Sequence, residues 1–420
     1  MERFAQLIHL NKQEMARVLL VTTNYWPEPT GTAPFATDLA MALNLEGDVV
    51  NILTTYPHYP WWSLPNEYQY MPNPYMGEDG ISIFRTRNYI PKSSNLITRT
   101  LYELSLLKNL IHTMKKPEFS NTDYVVTIGS SFAGHFIGKK FAKQKEIPLL
   151  IIIHDLVGTG LEQSGIPGGK IISKLVQRLE FSNLKKASGI AVISPAMKNA
   201  LEEMGVEPDN VSLIPLYGTN TIPELESYTA KISNGWDPNT FSVVHSGNMG
   251  NKQNLETFID AAEILSSETD IEFFMVGHGN QEARLKTLAK GLKNLHFMPA
   301  VADNDFPNVL GGADLLLVSE RASQLEMSLP SKLTSYFFSN RPVIASVPIA
   351  GATAQYLDGL ALIVPAEEPK LLAEKILYMK QNEAYRKSLA EKALEYARKN
   401  LTRENGRKRY IDWVIDILRN

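Results

Sequence analysis

The stretch Val243–Glu263, VVHSGNMGNKQNLETFIDAAE, runs from β-branched residues through Ser246 and Gly247 into a glycine-bearing loop, then Lys252, then a helical pattern. Backbone amides, one cation and a helix start in that order suit a diphosphate. The G-x-x-x-x-G-K-[ST] spacing is absent, so this is not a Walker loop. A second stretch, Val318–Ser346, places Arg321, Glu326 and Lys332 between two apolar runs. Pro330 and Ser331 read as the start of a helix reaching Ser339. Lys332 and the amides beside it form a second candidate anion site.

The first half of the chain carries two further candidates. Asn24–Ala40, NYWPEPTGTAPFATDLA, puts Gly31 just ahead of a helix, where a backbone turn can approach an anion closely. No G-x-G-x-x-G follows a strand there, so nothing supports a nicotinamide cofactor. His154 and Asp155 close an apolar run, and a histidine beside a carboxylate can donate hydrogen bonds or move protons. No set of residues reads as a metal cage.

Between Arg85 and Lys116 lie seven basic residues, Arg85, Arg87, Lys92, Arg99, Lys108, Lys115 and Lys116, against the one acid Glu103. Ile97, Leu101, Leu104, Leu107, Ile111 and Met114 have helical spacing. The pattern fits a basic amphipathic helix on an anionic membrane surface, or a domain helix with a solvated face. Phe4, Leu7, Ile8 and Leu10 make the N-terminus a short amphipathic helix.

These residues need elements to hold them. Apolar runs recur at Arg17–Thr23, Val49–Thr55, Ile81–Thr86, Asp123–Gly129, Pro148–Ile153, Gly189–Ser194 and Val211–Pro215. Helical segments such as Ala36–Glu46 lie between them. Runs without polar alternation suit strands buried on both faces of a parallel sheet. The rhythm breaks at Tyr217–Asn239, which reads as a connection, and restarts at Phe241–Gly247, Ile271–Gly277, Leu295–Pro299, Asp314–Ser319, Arg341–Ser346 and Leu360–Pro365. The class is α/β: two facing Rossmann-like domains with a cleft between them and a helical C-terminal tail. The expected domains are 1–220, 221–395 and a helix over 396–420 that returns to the first domain, with Tyr410–Leu418 as its apolar stripe. In such sheets ligands sit beyond the carboxyl ends of the strands.

Composition narrows the classes. The 420 residues are 44% hydrophobic and 21% charged, with 42 Lys plus Arg against 45 Asp plus Glu and a net charge of -3. That balance gives no support for nucleic-acid binding. With no cysteine, disulfides, thiolate nucleophiles, Cys-ligated zinc and iron–sulfur clusters are excluded.

Taken together, NYWPEPTG, TTYPHYPWW, HDL, VVHSGNMGNKQNLE and LPSKLTSYFFSNRPVIAS resemble the retaining glycosyltransferases of family 4, of GT-B fold, in the branch of colanic-acid and other exopolysaccharide enzymes. The resemblance implies hexosyl-type transfer from a nucleotide-diphosphate sugar to a glycan or polyprenyl-linked acceptor, with retention and without a cofactor or catalytic metal. It implies a cytoplasmic enzyme, peripheral on the inner face of the membrane.

Residue by residue, Gly31 matches the glycine loop near the donor phosphates. His154 matches the histidine near the reacting sugar, and Lys252 the lysine of the diphosphate pair. The arginine of that pair falls at Asn248, beside Gly247, so Lys332 and Arg321 are the candidates to replace it. The family's paired glutamates fall at Met327 and Ser335, with Glu326 one residue from the first and Ser331 at the adjoining helix start. The alternatives are a non-catalytic GT-B protein binding a glycan or a partner, a sugar-nucleotide 2-epimerase, and a sugar phosphorylase.

Overall fold

The computed structural model describes residues 15–29, 31–77, 79–91, 96–129, 131–156, 169–218, 222–323 and 329–419. The expected N-terminal helix over Phe4–Leu10, and Lys92, Glu326 and Met327, lie outside them. The chain divides into two compact units, Met1–Pro215 with Gly406–Asn420, and Leu216–Asn405.

The first unit runs β1 (Arg17–Thr22), α1 (Ala33–Leu45), β2 (Val49–Thr55), β3 (Tyr75–Met76), β4 (Ser82–Thr86), α2 (Leu96–Thr113), β5 (Tyr124–Gly129), α3 (Phe132–Lys145), β6 (Leu149–Ile153), α4 (Gly169–Leu184), β7 (Gly189–Val192), α5 (Pro195–Glu203) and β8 (Val211–Leu213). Its sheet order is β3-β4-β2-β1-β5-β6-β7-β8. Only β3 is antiparallel to its neighbour, and Val18 of β1 pairs with Val50 on one side and Tyr124 on the other. β5 and β6 are buried along their whole length, as strands covered on both faces must be.

The second unit runs α6 (Ser227–Ser233), β9 (Phe241–Ser246), α7 (Glu256–Ile264), β10 (Ile271–Val276), α8 (Glu282–Leu288), β11 (Leu295–Met298), α9 (Phe306–Gly311), β12 (Leu315–Ser319), α10 (Lys332–Phe338), β13 (Val343–Val347), α11 (Ala352–Tyr356), β14 (Leu362–Pro365), α12 (Pro369–Gln381) and α13 (Glu383–Asn400). The order β11-β10-β9-β12-β13-β14 is wholly parallel. Period-two alternation splits its core: Val243, Phe273 and Leu317 pack on one face, Val244, Phe274 and Leu316 on the other.

The last helix, α14 (Arg403–Arg419), carries its Gly406–Arg419 part into the first unit. Arg407 Nε donates to Asp38 Oδ1 at 2.9 Å, a carboxylate that is itself buried. A Cβ on Gly189 would stand 2.8 Å from Ile417, so the glycine admits the helix against β7.

Two expectations are corrected here. Tyr217–Asn239 is more than a connection: it contains α6, capped by the Glu226 carboxylate accepting from Thr229 N at 2.7 Å, and Trp236, which stacks on Phe274 at 4.0 Å. A seven-residue helix is too short to print a period in the sequence. Arg85 is not a surface charge. It lies 2% exposed on β4 and donates to Thr55 O at 2.9 Å and Trp26 O at 2.5 Å.

The expected stripe on α2 also divides. Of its residues Met114 is buried, Leu107 and Ile111 are half-buried, and Ile97, Leu101 and Leu104 are 73%, 48% and 56% exposed; the buried face is carried by Leu106 and Leu110, outside the expected stripe. No helix among the described residues is long and apolar enough to cross a membrane.

In each sheet the strand order reverses beside the first strand of the unit, between β1 and β5 and between β9 and β12. A crevice opens at such switch points, outside the carboxyl ends of the strands.

Candidate active site

In the second unit, Gly247 follows β9 with φ +133° and Gly277 follows β10 with φ +138°, backbone conformations that L side chains rarely adopt. A Cβ on Gly279 would stand 2.2 Å from the Met249 carbonyl oxygen, so the loops after β9 and β10 run backbone against backbone.

Lys332 comes to the same place from α10. Its Nζ would stand 3.0 Å from a Cβ on Gly247, and it lies 3.5 Å from His245 Nε2. One turn on, Tyr336 fixes the helix to the strand: its hydroxyl accepts from Ser246 N at 2.9 Å and reaches Ser246 O at 3.1 Å. Burial lowers the Lys332 amine to about 7, and the Glu320 charge opposes that shift. Glu320 follows β12. Its backbone N donates to Ser346 O at 2.9 Å, and its carboxylate accepts from Thr353 Oγ1 at 2.8 Å.

The two candidates for the absent arginine separate. Arg321 donates through Nε to Asn251 O at 2.8 Å and through its guanidinium to Asn251 Oδ1 at 3.1 Å and Glu256 Oε1 at 3.0 Å. Arg321 N also donates to Lys252 O at 3.0 Å. Arg321 therefore braces the turn that carries Lys252, while Lys332 stands against Gly247. Lys252 and Asn248 are exposed; Lys252 lies on a single 3-10 turn, Asn251–Gln253, ahead of α7. Ser331 is exposed at the start of α10, where its hydroxyl makes no capping bond, and Ser335 is half-buried on that helix.

In the first unit, Gly31 has φ +68°, and a Cβ there would stand 3.1 Å from the Tyr59 ring. A Cβ on Gly129, at the end of β5, would meet Thr32 at 3.7 Å, so the two loops adjoin at the switch point. Glu28, which sequence reasoning passed over, ties this edge together. Its buried carboxylate accepts from His58 N at 2.7 Å, Tyr59 N at 2.9 Å and Asn24 Nδ2 at 2.7 Å. Only a burial pattern could have marked it, because an isolated Glu in a proline-rich loop reads as solvated.

His154 directly follows β6, with the exposed Asp155 after it. Its ring meets Phe35 edge-on at 5.2 Å, and its Nε2 is buried without a hydrogen-bond partner. Burial, and secondly the nearby His135, lowers it to about 4. At neutral pH it is a neutral donor or acceptor, not a cation.

Two family models match the chain, "Glycosyl transferase 4-like domain" over residues 30–216 and "Glycosyl transferases group 1" over residues 240–382. The chain is 26% identical to the putative colanic acid biosynthesis glycosyl transferase WcaI of Escherichia coli K12, across 94% of this chain and 99% of that protein. Among solved structures, sucrose-phosphate synthase from Thermosynechococcus elongatus matches with a TM-score of 0.74 at 15% identity, over 96% of this chain and 99% of the other. Anabaena HepE in complex with UDP matches with a TM-score of 0.71 at 16% identity, over 96% and 100%. HepE has also been solved with UDP-glucose. At these identities the structural likeness shows the fold, which is GT-B.

Proposed function

Because the chain belongs to the group 1, family 4-like glycosyltransferases of polysaccharide biosynthesis, we propose that it moves a hexosyl-type sugar from a nucleotide-diphosphate donor to a glycan acceptor with retention. The observation that carries the donor reading is Lys332 Nζ standing against Gly247, at the switch point of the second sheet. HepE, a structural neighbour, has been solved with UDP and with UDP-glucose, which supports a nucleotide-sugar partner.

The chemistry is chiefly electrostatic. The bond from the anomeric carbon to the diphosphate oxygen breaks, and a bond to the acceptor oxygen forms on the same face. The acceptor proton passes to the departing phosphate oxygen, so no enzyme nucleophile is needed. Lys332 and Lys252 supply the positive charge for the leaving diphosphate, and preorganised charge of this kind is a large catalytic factor. His154, neutral, serves the reacting sugar by hydrogen bonding. Ser335, in the place of a family glutamate, offers a shorter and neutral contact to the donor.

The acceptor is polyprenyl-linked, and the enzyme works from the cytoplasm on the inner membrane face. The support is α2, whose exposed Ile97, Leu101 and Leu104 are accompanied by exposed Arg99, Lys108 and Lys115. An apolar ridge flanked by cations suits an anionic lipid surface.

The test is a thermal-shift screen of UDP, GDP, ADP and dTDP, followed by turnover of the matching nucleotide sugars with an added acceptor. A ligand of the folded state raises the midpoint with its concentration. No shift with any of them overturns the donor reading. Binding without transfer favours the non-catalytic alternative.

A further inference from the structure

We propose that His245 is a positioning residue for the donor cation, its imidazole Nε2 accepting from the Lys332 ammonium and holding Nζ against Gly247. The proposal rests on the donor-site reading above. His245 lies on β9, where the apolar Phe241, Val243 and Val244 and the polar Ser242 and Ser246 are all buried. It is itself 0% exposed. A polar ring in the middle of a parallel sheet is unfavourable unless it makes a polar contact. Lys332 Nζ stands 3.5 Å from Nε2, and the backbone of Asn248 and of Leu317 also faces the ring.

The physical advantage lies in the charge. Burial, and secondly the Lys332 charge, holds the His245 proton affinity well below its ordinary value, so the ring stays neutral. A neutral acceptor orients the ammonium without cancelling it, whereas a carboxylate at that point would compete with the phosphates. The other groups facing Lys332 are consistent with this. Glu320 acts on Lys332 through its charge but accepts a hydrogen bond from Thr353, and Tyr336 on the same helix is committed to Ser246. The 3.5 Å separation is at the outer limit of a hydrogen bond. An anion beside Gly247 would favour the protonated amine and strengthen that contact.

The experiment compares His245→Leu, which lacks an acceptor, with His245→Gln, which keeps one. Each is made alone and with Lys332→Ala. Affinities for UDP, GDP and ADP are measured by calorimetry between pH 6 and 9, and thermal unfolding checks the fold. His245→Leu should weaken the best ligand about 10-fold or more, and His245→Gln only a few-fold, as expected for a hydrogen bond to a charged group. In the Lys332→Ala background, His245→Leu should cost nothing further. The Lys332 titration, followed by NMR of the 13C-dimethylated protein, should move to lower pH in His245→Leu and stay near the wild-type value in His245→Gln.

Losses that add across the two sites, with an unmoved Lys332 titration, overturn the proposal. The titration needs no ligand. A wild type that binds none of the three nucleotides, yet shows the shift, would sink the donor reading while supporting the pairing. If the leucine variant does not fold, a Gln variant that loses ligand only when Lys332 is present still supports the pairing, and one whose loss is equal without Lys332 overturns it.

Discussion

A Cβ placed on Gly277 would stand 2.1 Å from the carbonyl oxygen of Gly247, so the residue after β10 and the residue after β9 touch backbone to backbone. Gly277 also has φ +138°. Gly277→Ala therefore has no relaxed solution. Strain and overpacking together should cost about 2–4 kcal/mol. Chemical denaturation should show the loss, and the best nucleoside diphosphate should bind more weakly. An alanine variant with unchanged stability and affinity would mean that the two loops do not meet.

Lys252 and Arg321 should behave differently although they lie on one turn. Lys252 is exposed, so Lys252→Ala should leave unfolding unchanged while lowering transfer by about 100-fold, a typical loss for one preorganised charge. Arg321 bonds Asn251 and Glu256, so Arg321→Ala should lower both stability and donor affinity. Near-normal turnover in a folded Lys252→Ala protein removes that lysine from the phosphates.

His154→Ala should lower kcat more than it weakens nucleoside diphosphate affinity, because the residue belongs to the unit that does not carry Lys252 and Lys332. Affinity and turnover falling in equal measure would assign it a structural role.

Acid should act on the histidines whose proton affinity the fold lowers. His135 and His154 are lowered to about 4 and His245 well below its ordinary value, in each case first by burial. The unfolded chain takes up these protons near pH 6.5 and the folded chain does not, so stability falls as pH drops from about 6.5 towards 4. Glu103, raised by burial, contributes in the opposite direction. The isolating measurement is a difference: His154→Gln should reduce the slope of the urea midpoint against pH between 6.5 and 4.5. An unchanged slope would show that His154 is protonated in the folded protein.

Membrane attachment should follow α2 and not the whole basic stretch. At low salt the protein should float with anionic vesicles and stay behind with neutral ones. Each cation near the surface contributes about 1 kcal/mol, screened as salt rises. Neutralising Arg99, Lys108 and Lys115, or changing Ile97, Leu101 and Leu104 to Ser, should abolish flotation. Arg85→Met should leave flotation intact and lower stability, since it removes the buried bonds to Thr55 and Trp26. Flotation that survives both sets of surface changes assigns the contact to another surface.

The succession of strands was written in the sequence. The run Leu149–Ile153 became a strand buried along its whole length because unbroken apolar residues suit a strand covered on both faces. Gly31, Gly247 and Lys332 were visible because turn residues and cations at strand ends have few other uses. The tertiary structure decided which groups meet. Arg321 and Lys332 were equivalent as cations in one loop, until Glu256 and Asn251 claimed the first and Gly247 received the second. Arg85 was one basic residue among seven until strand pairing turned it inward. Glu28 and His245 sit inside quoted motifs, yet the pattern gave neither a role. Their roles come from burial beside groups distant in the chain, His58 and Lys332, and a one-dimensional pattern carries no such distances.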